Sequence, residues 1–303
     1  FGEEITGLQE LGTTERGENM KIGTYIEKSI DHELSGNIID LCPVGALNNK
    51  PYRYSARAWE MMQRTSVGAH DCVGSNVYAH VLRGTVKRIV PQPNEAINET
   101  WISDRDRFSY EGIYSSDRLR TPRIRRGDKW QDIGWDDALQ VLAGKIRAAD
   151  PDKLGVLASP CSTVEEFHLL ARLATHLGTA NIDHRLRQLD FSDDDADALF
   201  PWLGCAIAEI ERCGAILIAG SNLRAEAPIL AHRVRKATLR GAKVVIANDE
   251  IGEYFFDIAS RLEAADLVDL LSGVVVAAAS GKVLPASVRQ LCKGVSPNAP
   301  QRT

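Results

Sequence analysis

No run of about 18 apolar residues occurs in this 303-residue chain; the longest candidate, around Leu267–Ala279, is broken by Asp269, Ser272 and Gly273. Nothing therefore reads as a membrane-spanning helix. The six cysteines, at 42, 72, 161, 205, 213 and 292, include no CxxC pair, which argues against a disulfide framework and against a self-contained zinc or cluster site. A reducing compartment fits that usage. An excess of basic charge is also missing: the net charge is −5 and the pI about 5.9, so nucleic-acid binding has no support. The seven histidines form no HExxH and no i,i+4 pair, and His168 and His176 are too far apart for one metal on one helix. Nor is there a GxGxxG, a GxxxxGK[ST] or a GxSxG, the usual loops for dinucleotides, phosphates and nucleophilic serines. The start at Phe1 shows no basic and apolar leader, and with the polar end Ser296-Pro297-Asn298-Ala299-Pro300 it reads as an internal piece of a longer protein.

What is present is an ordinary globular composition, 44% hydrophobic and 25% charged, in a chain long enough for about two domains with cores of their own. One stretch, Glu33–Leu47 (ELSGNIIDLCPVGAL), surrounds its cysteine with residues suited to chemistry. A Cys-Pro step after an apolar run, here Cys42-Pro43 followed by Val44-Gly45-Ala46, is a frequent form of the last ligand of a ferredoxin-type cluster. Pro43 removes a backbone donor and fixes φ beside the thiol, while Gly45 and Ala46 leave room for an inorganic sulfide. The plain alternative is a buried cysteine at a strand-to-helix corner, with Pro43 at the first helical position. One thiolate cannot hold a cluster, so the residues by themselves leave both readings open.

In chain order, Phe1–Thr14 reads as a short helix or turn running into a glycine-marked loop, and 22–29 as a strand. Residues 62–116 are β-rich, with strands at Val77–Leu82 and Val86–Val90 on either side of the turn Arg83-Gly84-Thr85. From about Thr121 helices and strands alternate, the pattern of an open, mostly parallel sheet covered on both faces. The spacing predicts a helix from Trp135 with Leu139, Leu142 and Ile146 inward and Asp136 or Asp137 at its positive end. A buried strand at Leu154–Ala158 precedes a helix capped by Ser162 or Thr163 with Glu165-Glu166, with Phe167, Leu170, Leu173, Ala174 and Leu177 inward, ended by Gly178. Then come a strand at Ala215–Ala219, a helix at Pro228–Leu239, a strand at Lys243–Ala247 and a very apolar helix about Ala264–Ala279. Asp190, Asp193, Asp194, Asp195 and Asp197 lack the Gly and terminal Glu of a calcium loop and read as a solvated acidic loop. Ser159-Pro160-Cys161-Ser162 is a strand-end loop and helix cap, and Arg118–Arg126 a solvated or subunit-facing basic run.

Gly12-Thr13-Thr14-Glu15-Arg16-Gly17-Glu18-Asn19, Glu33–Leu47, Lys50-Pro51-Tyr52, Ser55-Ala56-Arg57-Ala58-Trp59-Glu60, Val73-Gly74-Ser75-Asn76 and Asn98–Asp104, in that order, resemble the large iron–sulfur subunits of respiratory complex I, the NADH:quinone oxidoreductase, within the molybdopterin oxidoreductase superfamily. The likeness is dense over about residues 1–120 and continuous to about residue 250. It implies an α/β fold: residues 1–61 as the C-terminal part of a [4Fe-4S] ferredoxin-like domain, 62–120 as a β-rich domain lacking its cluster, and 121–303 as a truncated α/β domain of molybdopterin-oxidoreductase type. Cys42 would ligate a [4Fe-4S] cluster whose other three ligands, a CxxCxxC group, lie upstream of Phe1, and Pro43, Val44, Gly45 and Ala46 would shape its low-dielectric pocket. A [2Fe-2S] cluster and a further [4Fe-4S] cluster are also expected upstream. One branch of the family carries an extra cluster whose ligand positions fall here on Gly68, Asp71, Ser75 and Ser103, none of them a thiolate; no cluster is expected there, and Cys72, one residue off, reads as a packed side chain. The turn Gly220–Pro228 resembles one that approaches the cofactor in molybdenum enzymes, but no molybdenum cofactor is expected.

The implied function is electron transfer within that translocase: electrons from NADH, oxidised on a neighbouring flavoprotein, pass along iron–sulfur clusters toward quinone. The expected partners are other peripheral-arm subunits, including the NADH-oxidising flavoprotein, with no nucleic acid and membrane association only through the complex. The expected location is the cytoplasmic side of the bacterial inner membrane or the matrix side of the mitochondrial one. The fragment alone is expected to have no activity. Two alternatives are a molybdopterin-dependent oxidoreductase of formate-dehydrogenase type, which needs bound metal and the missing thiolates, and a cofactor-free scaffold.

Overall fold

A computed structural model describes residues 1–24, 29–184, 203–248 and 252–262, with Leu267 and Leu271. The chain packs as two compact units, Phe1–Phe108 with Trp202–Thr303, and Ser109–Pro201.

The first unit opens with one helical turn at Gly2–Thr6, stopped by Gly7 at φ 86°, a left-handed conformation that glycine adopts without strain. The stretch expected to continue as a loop instead contains a strand, Leu11–Thr14 (β1), paired antiparallel with Lys21–Thr24 (β2). Residues 25–28 of the strand expected at 22–29 lie outside the described residues. Ile38–Leu41 (α1) is a single turn that ends at Cys42. Met62–Val67 (β3), Asn76–Leu82 (β4) and Thr85–Pro91 (β5) form an antiparallel sheet with β4 in the middle. The β4–β5 turn is made by Arg83 and Gly84, both at positive φ, as two-residue hairpins require. Asp104–Phe108 (α2) closes this part of the unit.

The second unit holds the hairpin Arg123–Arg126 (β6) and Lys129–Asp132 (β7), the helix Trp135–Ala148 (α3), the short strand Val156–Leu157 (β8), the helix Val164–Leu177 (α4) and Ile182–Asp183 (β9), parallel to β8. The capping of α4 is as expected: Thr163 Oγ1 accepts the Glu166 N–H at 3.2 Å, the Glu166 carboxylate accepts the Thr163 N–H at 2.8 Å, and Gly178 ends the helix at φ 74°. The expected inward faces are corrected. On α4 only Ala174 is buried and Leu173 is exposed; on α3 nothing is buried, and Leu139 and Leu142 are exposed. With β8 and β9 only two residues long, the described residues of this unit offer no broad sheet face for its helices to cover.

The chain then returns to the first unit with Ala215–Ala219 (β10), Leu223–Glu226 (α5), Pro228–Leu239 (α6), Lys243–Ala247 (β11) and Ser260–Leu262 (β12). β10, β11 and β12 are parallel, in that order, and β10, α6 and β11 have the bounds that the sequence predicts. Short β-branched runs make the two strands, and Pro228 opens α6 at a position where its missing N–H costs nothing. Ile218, Val234, Val244, Ile246 and Tyr254 form one core; Leu34, Val73, Ala227 and Ile229 form a second, which ties three distant stretches together. Each fully buried aliphatic side chain contributes about 1.5–3 kcal/mol.

Charge also fixes α6. Arg233, buried, donates to Glu99 at 3.0 Å and to Glu211, while Lys236 reaches both carboxylates and His232 Nε2 lies 3.1 Å from Glu99. His232 foremost, with Lys236 and Arg233, holds the Glu99 carboxyl well below the usual range. Among the described residues no helix is long and apolar enough to cross a membrane. The acidic residues 190–197 lie outside the described residues, as does the helix expected about 264–279 except for Leu267 and Leu271.

Candidate functional site

The segment that delivers Cys42 is gripped by residues sixty to seventy positions later in the chain. Asn37, fully buried, donates to the carbonyls of Leu34 and Ile102 at 2.8 Å each, and its own oxygen accepts from the Ile102 N–H and from Arg107. Arg107, 1% exposed, also donates to Asp40 at 2.6 Å. Asp104 accepts from Ser35 Oγ at 2.5 Å and from the Gly36 N–H at 2.7 Å, and burial pushes its carboxyl pKa up. A Cβ on Gly36 would lie 2.7 Å from the Arg107 side chain, so the approach needs glycine. Glu33 adds a pair of bonds from Arg224, at 2.8 and 3.2 Å.

Beyond this grip the chain opens. Cys42 is half-buried, and Pro43, Val44, Gly45 and Ala46 are exposed, Val44 by 81%. Gly45 turns the loop at φ 67° and brings backbone amides round the sulfur. The Leu47 N–H donates to Cys42 Sγ at 3.4 Å. Together with the N–H groups of Val44, Ala46 and Gly45 it holds the thiol below its ordinary pKa. Such a ring of donors favours a thiolate and is the kind of outer contact that tunes sulfur ligands. One thiol facing backbone amides therefore fits one ligand of an iron–sulfur cluster. It fits no more than one, because no three His, Cys, Asp or Glu side chains come together as a metal site among the described residues. The residues expected to wall a dry pocket, Pro43–Ala46, face outward in this chain.

Of the four positions Gly68, Asp71, Ser75 and Ser103, Gly68 and Ser103 lie against a single carboxylate, that of Asp106, which is 5% exposed. Ser103 Oγ lies 2.9 Å from Asp106 Oδ2 and donates to it, and His70 Nδ1 lies 2.8 Å from Oδ1. Gly68 sits against the same oxygen, where a Cβ would come within 2.9 Å, and its N–H donates to the Ser75 carbonyl at 2.8 Å. Asp71 accepts the Val73 N–H at 2.9 Å, and burial first, then the Asp106 charge, raises its pKa. Cys72 is exposed rather than packed: its neighbours Asp71 and Val73 take the inward places of this turn. The sequence reading missed Asn37, Asp104, Asp106 and Arg107. The only signal for them was the alternating charge of Asp104-Arg105-Asp106-Arg107 before Phe108.

The Gly220–Pro228 turn satisfies its own donors. The Leu223 N–H donates to the Tyr254 hydroxyl at 3.0 Å, Asn222 caps α5 and Arg224 is taken by Glu33 and the Glu253 carbonyl. Among the described residues these contacts engage the Leu223 N–H, the Asn222 side chain and the Arg224 guanidinium, groups that would otherwise be free to meet an anion.

The family model described as molybdopterin oxidoreductase matches residues 118–283, more than half of the sequence. The chain belongs to the molybdopterin oxidoreductase family. Two further models match the part of this family member that carries Cys42 and the Asp106 knot: NADH-quinone oxidoreductase subunit 3, ferredoxin-like domain, over residues 1–48, and NADH-ubiquinone oxidoreductase NDSU1/NuoG-like, 4Fe-4S domain, over 61–111. The chain is 39% identical over 248 residues to an NADH-quinone oxidoreductase subunit of Rickettsia felis, covering 80% of this chain and 36% of that protein. It is 38% identical over 272 residues to the mitochondrial NADH-ubiquinone oxidoreductase 78 kDa subunit of Candida albicans, covering 88% and 36%. Both relatives are, by name, subunits of an NADH-quinone or NADH-ubiquinone oxidoreductase. The chain spans about a third of the length of these curated relatives. Over 61–111, the region matched by the 4Fe-4S domain model, this family member has one cysteine, Cys72.

Proposed function

We propose that this chain is part of an electron-transfer subunit of NADH:quinone oxidoreductase, in which electrons from NADH reach quinone through a series of iron–sulfur clusters. The observation that carries the reading is Cys42, a thiol ringed by backbone amides at the end of a segment that the ferredoxin-like model covers. Cys42 would be one ligand of a [4Fe-4S] cluster, the remaining ligands coming from outside the described residues. The cluster, when bound, supplies one-electron redox chemistry. This chain's own part is to hold the sulfur in place through Asn37, Asp40 and Arg107 and to favour the thiolate through the amides of Val44–Leu47.

The rest follows from the same reading. Residues 1–61 are the end of a ferredoxin-like domain, 62–120 a β-rich domain without a cluster, and 121–303 part of an open, mostly parallel sheet, a view that the parallel pairing of β10, β11 and β12 supports. Its partners would be other peripheral-arm subunits, among them the NADH-oxidising flavoprotein. It would be held on the cytoplasmic side of a bacterial inner membrane, or the matrix side of a mitochondrial one, through the complex. The engaged donors of the Gly220–Pro228 turn support a part with no molybdenum cofactor.

The test is Cys42→Ser in the full-length subunit, followed by iron, acid-labile sulfide, molybdenum and low-temperature paramagnetic resonance. Loss of about four iron atoms per chain, with the other cluster signals intact, is expected. Unchanged iron, or molybdenum bound in proportion to protein, would overturn the proposal.

A further inference from the structure

A cavity of about 20 Å³ lies within the first unit, and His32, Glu33, Arg224, Ala231, His232 and Arg235 contribute to its wall. That is room for one water molecule, which needs upwards of about 10–15 Å³ by this measure. The polar groups round it can be accounted for almost completely. Arg224 spends its donors on Glu33 and on the Glu253 carbonyl. Arg235 spends its donors on the carbonyls of Glu3, Glu4, Ile5 and Phe255. Glu33 is neutralised by Arg224.

Two imidazole nitrogens remain. His232 is 4% exposed; its Nε2 faces Glu99, a carboxylate held ionised by its cationic neighbours, so that nitrogen carries the proton and donates. Its Nδ1 is buried and has no partner among the described residues, and an unpaired buried polar atom is costly. His32 Nδ1 accepts the Leu34 N–H at 3.0 Å, which leaves the proton on Nε2. Burial pushes the His32 pKa down to about 4, so the ring is neutral. The nearest carboxylate oxygen to its Nε2, on Glu33, is 3.7 Å away, too far for a hydrogen bond. One ring thus offers a free acceptor and the other a free donor at the same small cavity.

We propose that this cavity holds a single ordered water molecule, which donates to His232 Nδ1 and accepts from His32 Nε2, and so joins the segment leading to Cys42 to α6. An anion would find both guanidinium groups already engaged, Arg224 with Glu33 and the Glu253 carbonyl and Arg235 with four backbone carbonyls. Among the described residues no group of three or more His, Cys, Asp or Glu side chains is arranged to hold a metal ion.

The deciding experiment is a structure of the full-length subunit at a resolution that shows ordered water. One peak within hydrogen-bond distance of both nitrogens is expected. An empty cavity, or a His232 ring turned so that Nδ1 meets a protein donor, would overturn the proposal, and a peak with the coordination distances of a metal would replace water with another ligand. A second readout is the nitrogen spectrum of the histidine-labelled protein. His232 Nδ1 should appear unprotonated and hydrogen-bonded, and should shift toward the free-acceptor position in Ala231→Val, whose added methyl groups occupy the cavity. No shift in a folded Ala231→Val protein would count against the water.

Discussion

Two stretches of this chain, one matched by a model described as a ferredoxin-like domain and one by a model described as a 4Fe-4S domain, have opposite characters. The Cys42 loop keeps a thiol, leaves it half-buried and points backbone amides at it, while its neighbours Pro43–Ala46 stay exposed. The turn round Asp106 has no thiol at its four matching positions and is closed: Ser75, Ser103 and Asp106 are buried, and a serine, a histidine and a glycine fill the space about one carboxylate. The difference teaches that closing a turn is not the same as satisfying it: the Cys42 loop leaves its thiol half-buried, whereas the turn round Asp106 is packed yet keeps Asp71 Oδ2 and Ser75 Oγ buried with no hydrogen-bond partner among the described residues.

Substitutions should separate the two regions by their effect on stability. Arg107→Ala is expected to cost most, about 3 kcal/mol, because it removes a buried cation from Asp40 and Asn37 and frees the segment that delivers Cys42; chemical denaturation of the chain measures it. Gly68→Ala should follow, at about 2 kcal/mol, since the new methyl group meets the Asp106 carboxylate. A neutral result there would mean that the knot is looser than its distances imply.

Smaller effects sharpen the contrast. Burial raises the folded-state pKa of Asp71, so the folded chain binds this proton more tightly than the unfolded one. Stability therefore falls as pH rises from the unfolded carboxyl value, about 3.9, through the raised folded value. Asp71→Asn should flatten the melting temperature against pH across that window, and an unchanged slope would place Asp71 in water. Cys42→Ser should move the stability of the isolated chain by less than about 0.5 kcal/mol, as surface changes do, whereas under the proposed function the same change in the full-length subunit removes a cluster. The thiol itself can be followed by alkylation. The amides round Cys42 lower its pKa, so its reaction with iodoacetamide should reach half its maximal rate below the pH of an ordinary thiol, about 8.5.

Much of this was legible in the residues. The β4–β5 hairpin, the capping box of α4, and the bounds of β10, α6 and β11 follow from alternation, from Gly and Pro, and from Thr163 and Glu166. These are signals that act over a few residues, and they hold wherever the rest of the chain lies. Pro43 and the small residues after it also marked Cys42 as a candidate ligand. The failures were failures of burial: Leu139, Leu142 and Leu173 have helical spacing, but spacing says which face is apolar and not whether anything covers it.

What the sequence by itself determined, then, is which local elements form and which cysteine is the candidate for a ligand. The tertiary structure alone decided that Asn37 and Arg107 meet across seventy residues, that Gly68, His70 and Ser103 converge on Asp106, and that His32 and His232 share a cavity. The reason is physical. Propensity and periodicity are properties of neighbours along the chain, but a buried charge finds its partner through space, and only the folded packing fixes which distant groups it meets.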